Sequence, residues 1–194
     1  MRIIAGRFKG RSLQSPSGLA TRPTSDRLRE TLFNVLSHGY DDPITGARVL
    51  DLFAGTGALG LEALSRGAAF VQFVEEAAEA RGLIKANVEA FGVAGITKVY
   101  RRDATYMGPV APAEPFSLVF CDPPYGKGLA ALALASALKG GWLTPDALII
   151  VEERADQNDI LPARFEVIEE RHYGETKLVF ARLPRPSDAT DGLK

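Results

Sequence analysis

Residues 49–60 read VLDLFAGTGALG, and the order of residue types in this stretch decides the fold. Val49, Leu50, Leu52 and Phe53 form the short apolar run of a strand covered on both faces. Gly55, Gly57 and Gly60 follow as G-x-G-x-x-G, a spacing that lets the backbone turn sharply and approach a ligand closely. From Ala58, residues Leu59, Leu61, Ala63 and Leu64 suit a helix that stops near Arg66 and Gly67. Strand, glycine turn and helix together open the first βα unit of a parallel sheet.

Asp51 separates the cofactors that such a turn accepts. In a dinucleotide site the turn and the helix N-terminus face an anionic pyrophosphate, which a carboxylate in that loop repels. S-adenosylmethionine has no phosphate. Its ammonium and sulfonium attract a carboxylate, while backbone N–H groups of the turn can take its own carboxylate. The pattern D-x-F-x-G-x-G therefore predicts the methyl donor, with Asp51, Phe53, Gly55 and Gly57 as cofactor-binding residues. A nicotinamide or flavin, or a turn that holds no ligand, are the alternatives.

The chain of 194 residues fits one domain with a small appendage, long enough to bury roughly 70% of its unfolded surface. Its 46% hydrophobic and 24% charged residues are ordinary for a soluble enzyme. The longest nearly apolar run, Leu129 to Leu138, is too short to span a bilayer. Met1 to Arg11 is basic without the apolar core of a signal peptide. One cysteine excludes an internal disulfide and fits a reducing cytoplasm. His38 and His172 are far apart and lack cysteine partners, so no metal is expected.

A net charge of −1 hides an asymmetry. Residues 1–30 carry seven basic side chains (Arg2, Arg7, Lys9, Arg11, Arg22, Arg27, Arg29) and two acidic ones, whereas the remaining 164 carry sixteen and twenty-two. A basic arm on an acidic body predicts a reader of phosphate backbone, with Arg7, Lys9, Arg11, Arg22 and Arg29 as RNA-binding residues. A solubilising terminus is the plain alternative.

Along the chain, Met1 to Leu13 reads as an extended arm or loose hairpin punctuated by glycines, and Ser15 to Gly18 as a turn. Pro23 with Thr24 or Ser25 starts a helix whose Leu28, Leu32, Val35 and Leu36 share one face. Arg27, Glu30, Thr31 and Asn34 share another, which either looks toward the ligand together with Arg22 or is simply solvated. These pieces make a basic extension over residues 1–46. A methyltransferase-type domain then spans 47–183, with strands Phe70–Glu75, Thr97–Arg102, Phe116–Cys121 and Ala147–Glu152, and helices Ala77–Phe91 and Leu129–Lys139. Phe165–Tyr173 and Thr176–Leu183 read as an antiparallel hairpin around Gly174. The predicted fold is α/β: a doubly wound, mostly parallel seven-stranded sheet of the Rossmann-like type. The tail 184–194 is expected to be disordered.

The second strand ends in Glu75 and Glu76, at the distance where an acid accepts bonds from ribose hydroxyls. Glu75 is the first choice because it directly ends the apolar run. Asp103 and Ala104 follow the third strand, where a carboxylate and an amide suit an adenine edge; a cap for the next segment is the alternative. Chemistry is placed at Asp122-Pro123-Pro124-Tyr125, after the fourth strand. An exocyclic base amine is a poor nucleophile because its lone pair is delocalised into the ring. A carboxylate from Asp122 and the Pro123 carbonyl can each hold one N–H and favour the pyramidal nitrogen that attacks a methyl group. Pro123 and Pro124 stiffen the loop, and Tyr125 offers a face for a splayed base. Cys121 reads as packing.

With these residues placed, the chain resembles the bacterial 16S ribosomal RNA (guanine(966)-N(2))-methyltransferases. The resemblance runs from MRIIAGRFKGR through RPTSDRLRETLFNVL, VLDLFAGTGALGLEALSRGA and FVEE to DPPY. DLFAGTG and DPPY are shared by many amino-methyltransferases, and the amino-terminal blocks tie the chain to this branch. The resemblance implies transfer of one methyl group from S-adenosylmethionine to a guanine N2 amine of 16S rRNA, within a small subunit or an assembly intermediate; a cytoplasmic monomer is expected. Ala77 departs from the acid common in relatives, which leaves ribose binding open between Glu75 and Glu76. An adenine-N6 methyltransferase and a silent nucleotide-binding module are the competing readings; the small extension disfavours the first on DNA, and the intact DPPY disfavours the second.

Overall fold

Parallel strands buried on both faces need helices on either side, and the computed structural model has that arrangement. It describes residues 1–16 and 23–184, positions 23–25 as backbone only; Arg22 and the tail from 185 lie outside the described residues. Strands β1 (Arg48–Leu52), β2 (Phe70–Val74), β3 (Thr97–Tyr100), β4 (Phe116–Cys121), β5 (Leu143–Arg154), β6 (Glu166–Tyr173) and β7 (Thr176–Arg182) form one seven-stranded sheet in the order β3-β2-β1-β4-β5-β7-β6. Strands β1 to β5 run parallel, and β7 is antiparallel to both β5 and β6. The strand order reverses between β1 and β4, so a crevice opens beyond their carboxyl ends.

Alternation along the strands sorts the core. Val49, Val71, Phe73, Leu118, Phe120 and Ile150 face helices α1 (Pro23–Gly39), α2 (Ala58–Ser65) and α3 (Ala78–Phe91). Leu50, Leu52, Val119, Cys121, Ile149 and Val151 face the other way, toward α4 (Leu129–Lys139) and Trp142. The buried Cys121 thiol is packing, as its apolar strand predicts. Strand β5 begins four residues earlier than Ala147. The Pro145 region is absorbed by a register shift between the Phe116–Leu143 and Leu118–Leu148 pairs, as a residue without an N–H requires. No helix among the described residues is long and apolar enough to cross a membrane.

Of the two readings of the amino-terminal segment the structure has the hairpin, and it is docked, not loose. Arg2 bridges Ser12, Ile3 and Leu13 are buried, and the loop between them is docked on α2. Backbone N–H groups of Ile4 and Ala5 donate to the fully buried Glu62 carboxylate at 2.8 and 3.0 Å. Arg7 N–H donates to the Ser65 carbonyl at 2.8 Å, and Phe8 stacks on Phe91 with ring centres 5.2 Å apart. Gly6 makes this approach possible: at φ +80° an added Cβ would lie 1.9 Å from the Ser65 oxygen. The sequence pattern missed the anchor because Glu62 sits mid-helix, 58 positions from Ile4.

Candidate active site

The turn after β1 does what its glycines predict. Gly55 and Gly57 have φ of 56° and 79°, and the non-glycine Phe53 joins them at 59°, a left-handed conformation that costs on the order of 1–3 kcal/mol and concentrates at ligand sites. Phe53 lines two adjoining cavities. A Cβ on Gly55 would meet nothing closer than 4.0 Å, so the turn's backbone lies open on that side.

The first cavity, about 510 Å³, lies over the ends of β2 and β3 and is lined by Phe53, Glu75, Glu76, Asp103, Ala104 and Pro124, among others. Glu75 Oε2 accepts the Gly55 N–H at 2.9 Å and Oε1 the Ala77 N–H at 2.8 Å. Its carboxylate thereby braces the glycine turn while facing the cavity. Glu76 is exposed, and its carbonyl accepts the Arg81 guanidinium. Asp103 Oδ1 accepts the Thr105 N–H at 2.8 Å and the Thr105 hydroxyl at 2.7 Å. Asp103 is thus a cap for the short 3-10 turn Ala104–Tyr106, and it borders the cavity as well.

The second cavity, about 200 Å³, brings together Asp51, Gly55, Arg29, Asp122 and Glu152. Asp51 is 1% exposed, and its Oδ2 accepts the Gly60 N–H at 3.0 Å. Burial pushes its carboxyl up to about 8, with the Gly60 bond pulling the other way and Glu75 adding to the rise. Asp122 still meets solvent, but the crevice walls crowd its carboxyl. That desolvation first, and then Glu152, Asp51 and Glu153, hold it well above the usual carboxylate range. Tyr125, 38% exposed, donates its O–H to Glu152 Oε1, and burial and that bond raise the phenol. Gly126 N–H donates to the buried Glu153 at 3.1 Å, so the proline loop is latched to β5 at two points.

Six acidic side chains around the two cavities, Asp51, Asp122 and Glu152 in one and Glu75, Glu76 and Asp103 in the other, suit a cationic ligand and oppose a pyrophosphate. The donor set therefore fits S-adenosylmethionine, with acidic acceptors for its hydroxyl and ammonium hydrogens beside an open glycine turn.

Not every expected side chain lies where its pattern placed it. Leu28, Arg29 and Leu32 are the α1 residues that line the cavity, whereas Arg27, Glu30 and Asn34 are exposed, so the solvated alternative holds for that face. Arg29 is 5% exposed; it donates to the Arg2 carbonyl and to Asp26 and lies 3.9 Å from Glu62. That burial suits a strut between arm and body, not a surface contact with RNA. Arg7, Lys9 and Arg11 are exposed, although Arg11 also donates to the Ala90 carbonyl and lies over the Phe91 ring. Glu152 was not foreseen as a site residue. Its signal was an acid ending an apolar strand, the same signal that marked Glu75.

A family model described as Conserved hypothetical protein 95 matches residues 1–182. Ribosomal RNA small subunit methyltransferase D of Escherichia coli (strain K12) is 37% identical over 177 residues, 90% of this chain and 86% of that protein. The protein of the same name from Haemophilus influenzae is 35% identical over 176 residues, 90% of this chain and 89% of its own. The solved structure of yhhF from Escherichia coli, 36% identical, superposes with a TM-score of 0.79 over 94% of this chain and 97% of that one.

Proposed function

Because the chain belongs to the Conserved hypothetical protein 95 family and is similar to small-subunit ribosomal RNA methyltransferases, we propose that it methylates the exocyclic N2 amine of a guanine in 16S rRNA, of the position-966 type. It is an S-adenosylmethionine-dependent ribosomal RNA methyltransferase with the class I methyltransferase fold. The observation that carries the finer reading is the meeting of two motifs: Asp51 at the end of β1 and Asp122 at the end of β4 line one cavity.

S-adenosylmethionine supplies the electrophilic methyl group. Asp51, Phe53, Gly55, Gly57, Glu75, Asp103 and Ala104 bind it, Glu75 at the ribose and Asp103 with Ala104 at the adenine. Asp122 and the Pro123 carbonyl hold the two N–H groups of the base amine, which turns its lone pair toward the methyl carbon. Pro124 keeps the loop rigid, and the Tyr125 ring stacks on the base. Arg7, Lys9 and Arg11 contact RNA phosphates from the docked amino-terminal loop, and an RNA in a small-subunit particle is the substrate of a monomer working in the cytoplasm.

The test uses small-subunit particles from cells lacking the gene, incubated with the protein and labelled S-adenosylmethionine, followed by mass spectrometry of the nucleosides. N2-methylguanosine is the expected product. N6-methyladenosine in its place, or no methylated nucleoside, overturns the reading.

A further inference from the structure

The register of the sheet puts a second carboxylate beside the first. Cys121 pairs with Val151 across parallel strands β4 and β5, so the residues that follow them, Asp122 and Glu152, are neighbours one strand spacing apart, about 4.8 Å at the backbone. Both line the cavity that Asp51 and Gly55 also border. The Tyr125 O–H donates to Oε1 of Glu152. That bond fixes the carboxylate's orientation, leaves Oε2 as an acceptor, and favours the ionised form against the burial that raises it.

Guanine and adenine differ on the edge that such a pair would meet. Guanine presents two adjacent donors, N1–H and the N2 amine, whereas adenine presents its amine beside N1 as a bare acceptor. Two carboxylates in a row match two donors in a row, and a carboxylate oxygen facing the adenine N1 lone pair is repelled.

We propose that Glu152 is the specificity-determining residue for the base: its carboxylate accepts the guanine N1–H while Asp122 holds the N2 amine, and Tyr125 positions Glu152 through its hydroxyl. This rests on the guanine-N2 reading above.

The experiment compares particles carrying guanine with particles carrying 2-aminopurine at the target nucleotide. 2-Aminopurine keeps the N2 amine and has no N1–H. The parent protein is expected to prefer guanine by about 100-fold or more in kcat/KM, as a site built to bind a donor rejects its absence. Glu152→Gln offers an amide N–H to the bare N1, so the preference is expected to collapse toward unity; a change in S-adenosylmethionine affinity is common to both substrates and leaves their ratio untouched. Glu152→Asp keeps a carboxylate and is expected to retain the preference at a lower rate. A loss that is equal on both substrates in Glu152→Gln marks a structural role and overturns the proposal. Should that variant not fold, the parent alone decides: equal use of the two bases shows that N1–H is not read. Absence of N2-methylguanosine in the parent reaction is a different failure, that of the guanine reading itself.

Discussion

Asp51 accepts the backbone N–H of Gly60 at 3.0 Å, so the acid one residue before the end of β1 is bonded to the helix that follows it. The bond closes the glycine turn on itself and holds a carboxyl in the core, where burial raises it to about 8. The folded chain therefore keeps a proton that the unfolded chain releases near pH 4. The stability tied to this group is whole below about pH 4 and is lost as pH rises toward 8.

Asp51→Asn removes that loss. The variant is expected to melt above the parent at pH 8 by about 3 °C or more, corresponding to roughly 1 kcal/mol in a chain of this size, with the gap shrinking toward pH 5. Its S-adenosylmethionine affinity falls, and the parent's affinity rises with pH toward 8 as the carboxylate forms to meet the ligand ammonium. Thermal scans and calorimetry over that range check both; a parent affinity flat in pH counts against the role of Asp51.

Asp122→Asn keeps shape and loses the carboxylate. Methyl transfer is expected to drop by about 100-fold or more while S-adenosylmethionine binding shifts by no more than a few-fold, since the lost interaction is made with the reacting amine. Single-turnover assays beside calorimetry separate the two. Transfer at the parental rate would remove Asp122 from the chemistry.

Two glycines make opposite predictions. A Cβ at Gly60 would fall 2.4 Å from the Phe73 ring and 2.7 Å from Val71, so Gly60→Ala is expected to cost about 1–3 kcal/mol and to disturb the Asp51 bond. Gly82 lies inside α3 with nothing within 4 Å of an added Cβ, and Gly82→Ala is expected to stabilise by about 0.5–1 kcal/mol. Urea denaturation of the pair reads both signs.

The basic loop separates charge from anchorage. Replacing Arg7 and Lys9 with serine is expected to flatten the salt dependence of particle binding by up to about two units of log–log slope, with the fold intact. Glu62→Gln strikes the anchor: the buried acceptor of Ile4, Ala5 and Arg66 becomes a weaker one, at a cost of about 2 kcal/mol or more. Because Met1 lines the Asp51 cavity, S-adenosylmethionine affinity is expected to weaken in that variant too. An unchanged salt slope in the first variant would make the loop a scaffold only.

What could be read from the sequence was what is local. The β1 run, the glycine turn, the Glu75 position and the proline loop each announce themselves within a dozen residues, and the sheet follows from their alternation. Glu152 and Glu62 could not be read in this way. The first gains meaning because β5 lies beside β4 with Cys121 opposite Val151, the second because the amino-terminal loop returns to α2. Arg29 misled for the same reason: nearby Arg27 and Glu30 are solvated, while its own side chain turns inward to the Arg2 carbonyl.

Vectorial synthesis meets this loop at a disadvantage. Ile4 precedes Glu62 by 58 positions, Gln14 precedes its partner Asn87 by 73, and Arg11 precedes Ala90 by 79. At roughly 5–20 residues per second, the segment emerges and then waits several seconds for the helices that will receive it. Its anchors suit the wait, because they are backbone amides and cations that water solvates well until a carboxylate or carbonyl arrives. A nascent chain halted before Asn87 would hold the glycine turn but lack part of the surface that fastens Gln14 and Arg11, so the wall that Met1 contributes to the cavity is among the earliest pieces made and is fully braced only once α3 has emerged.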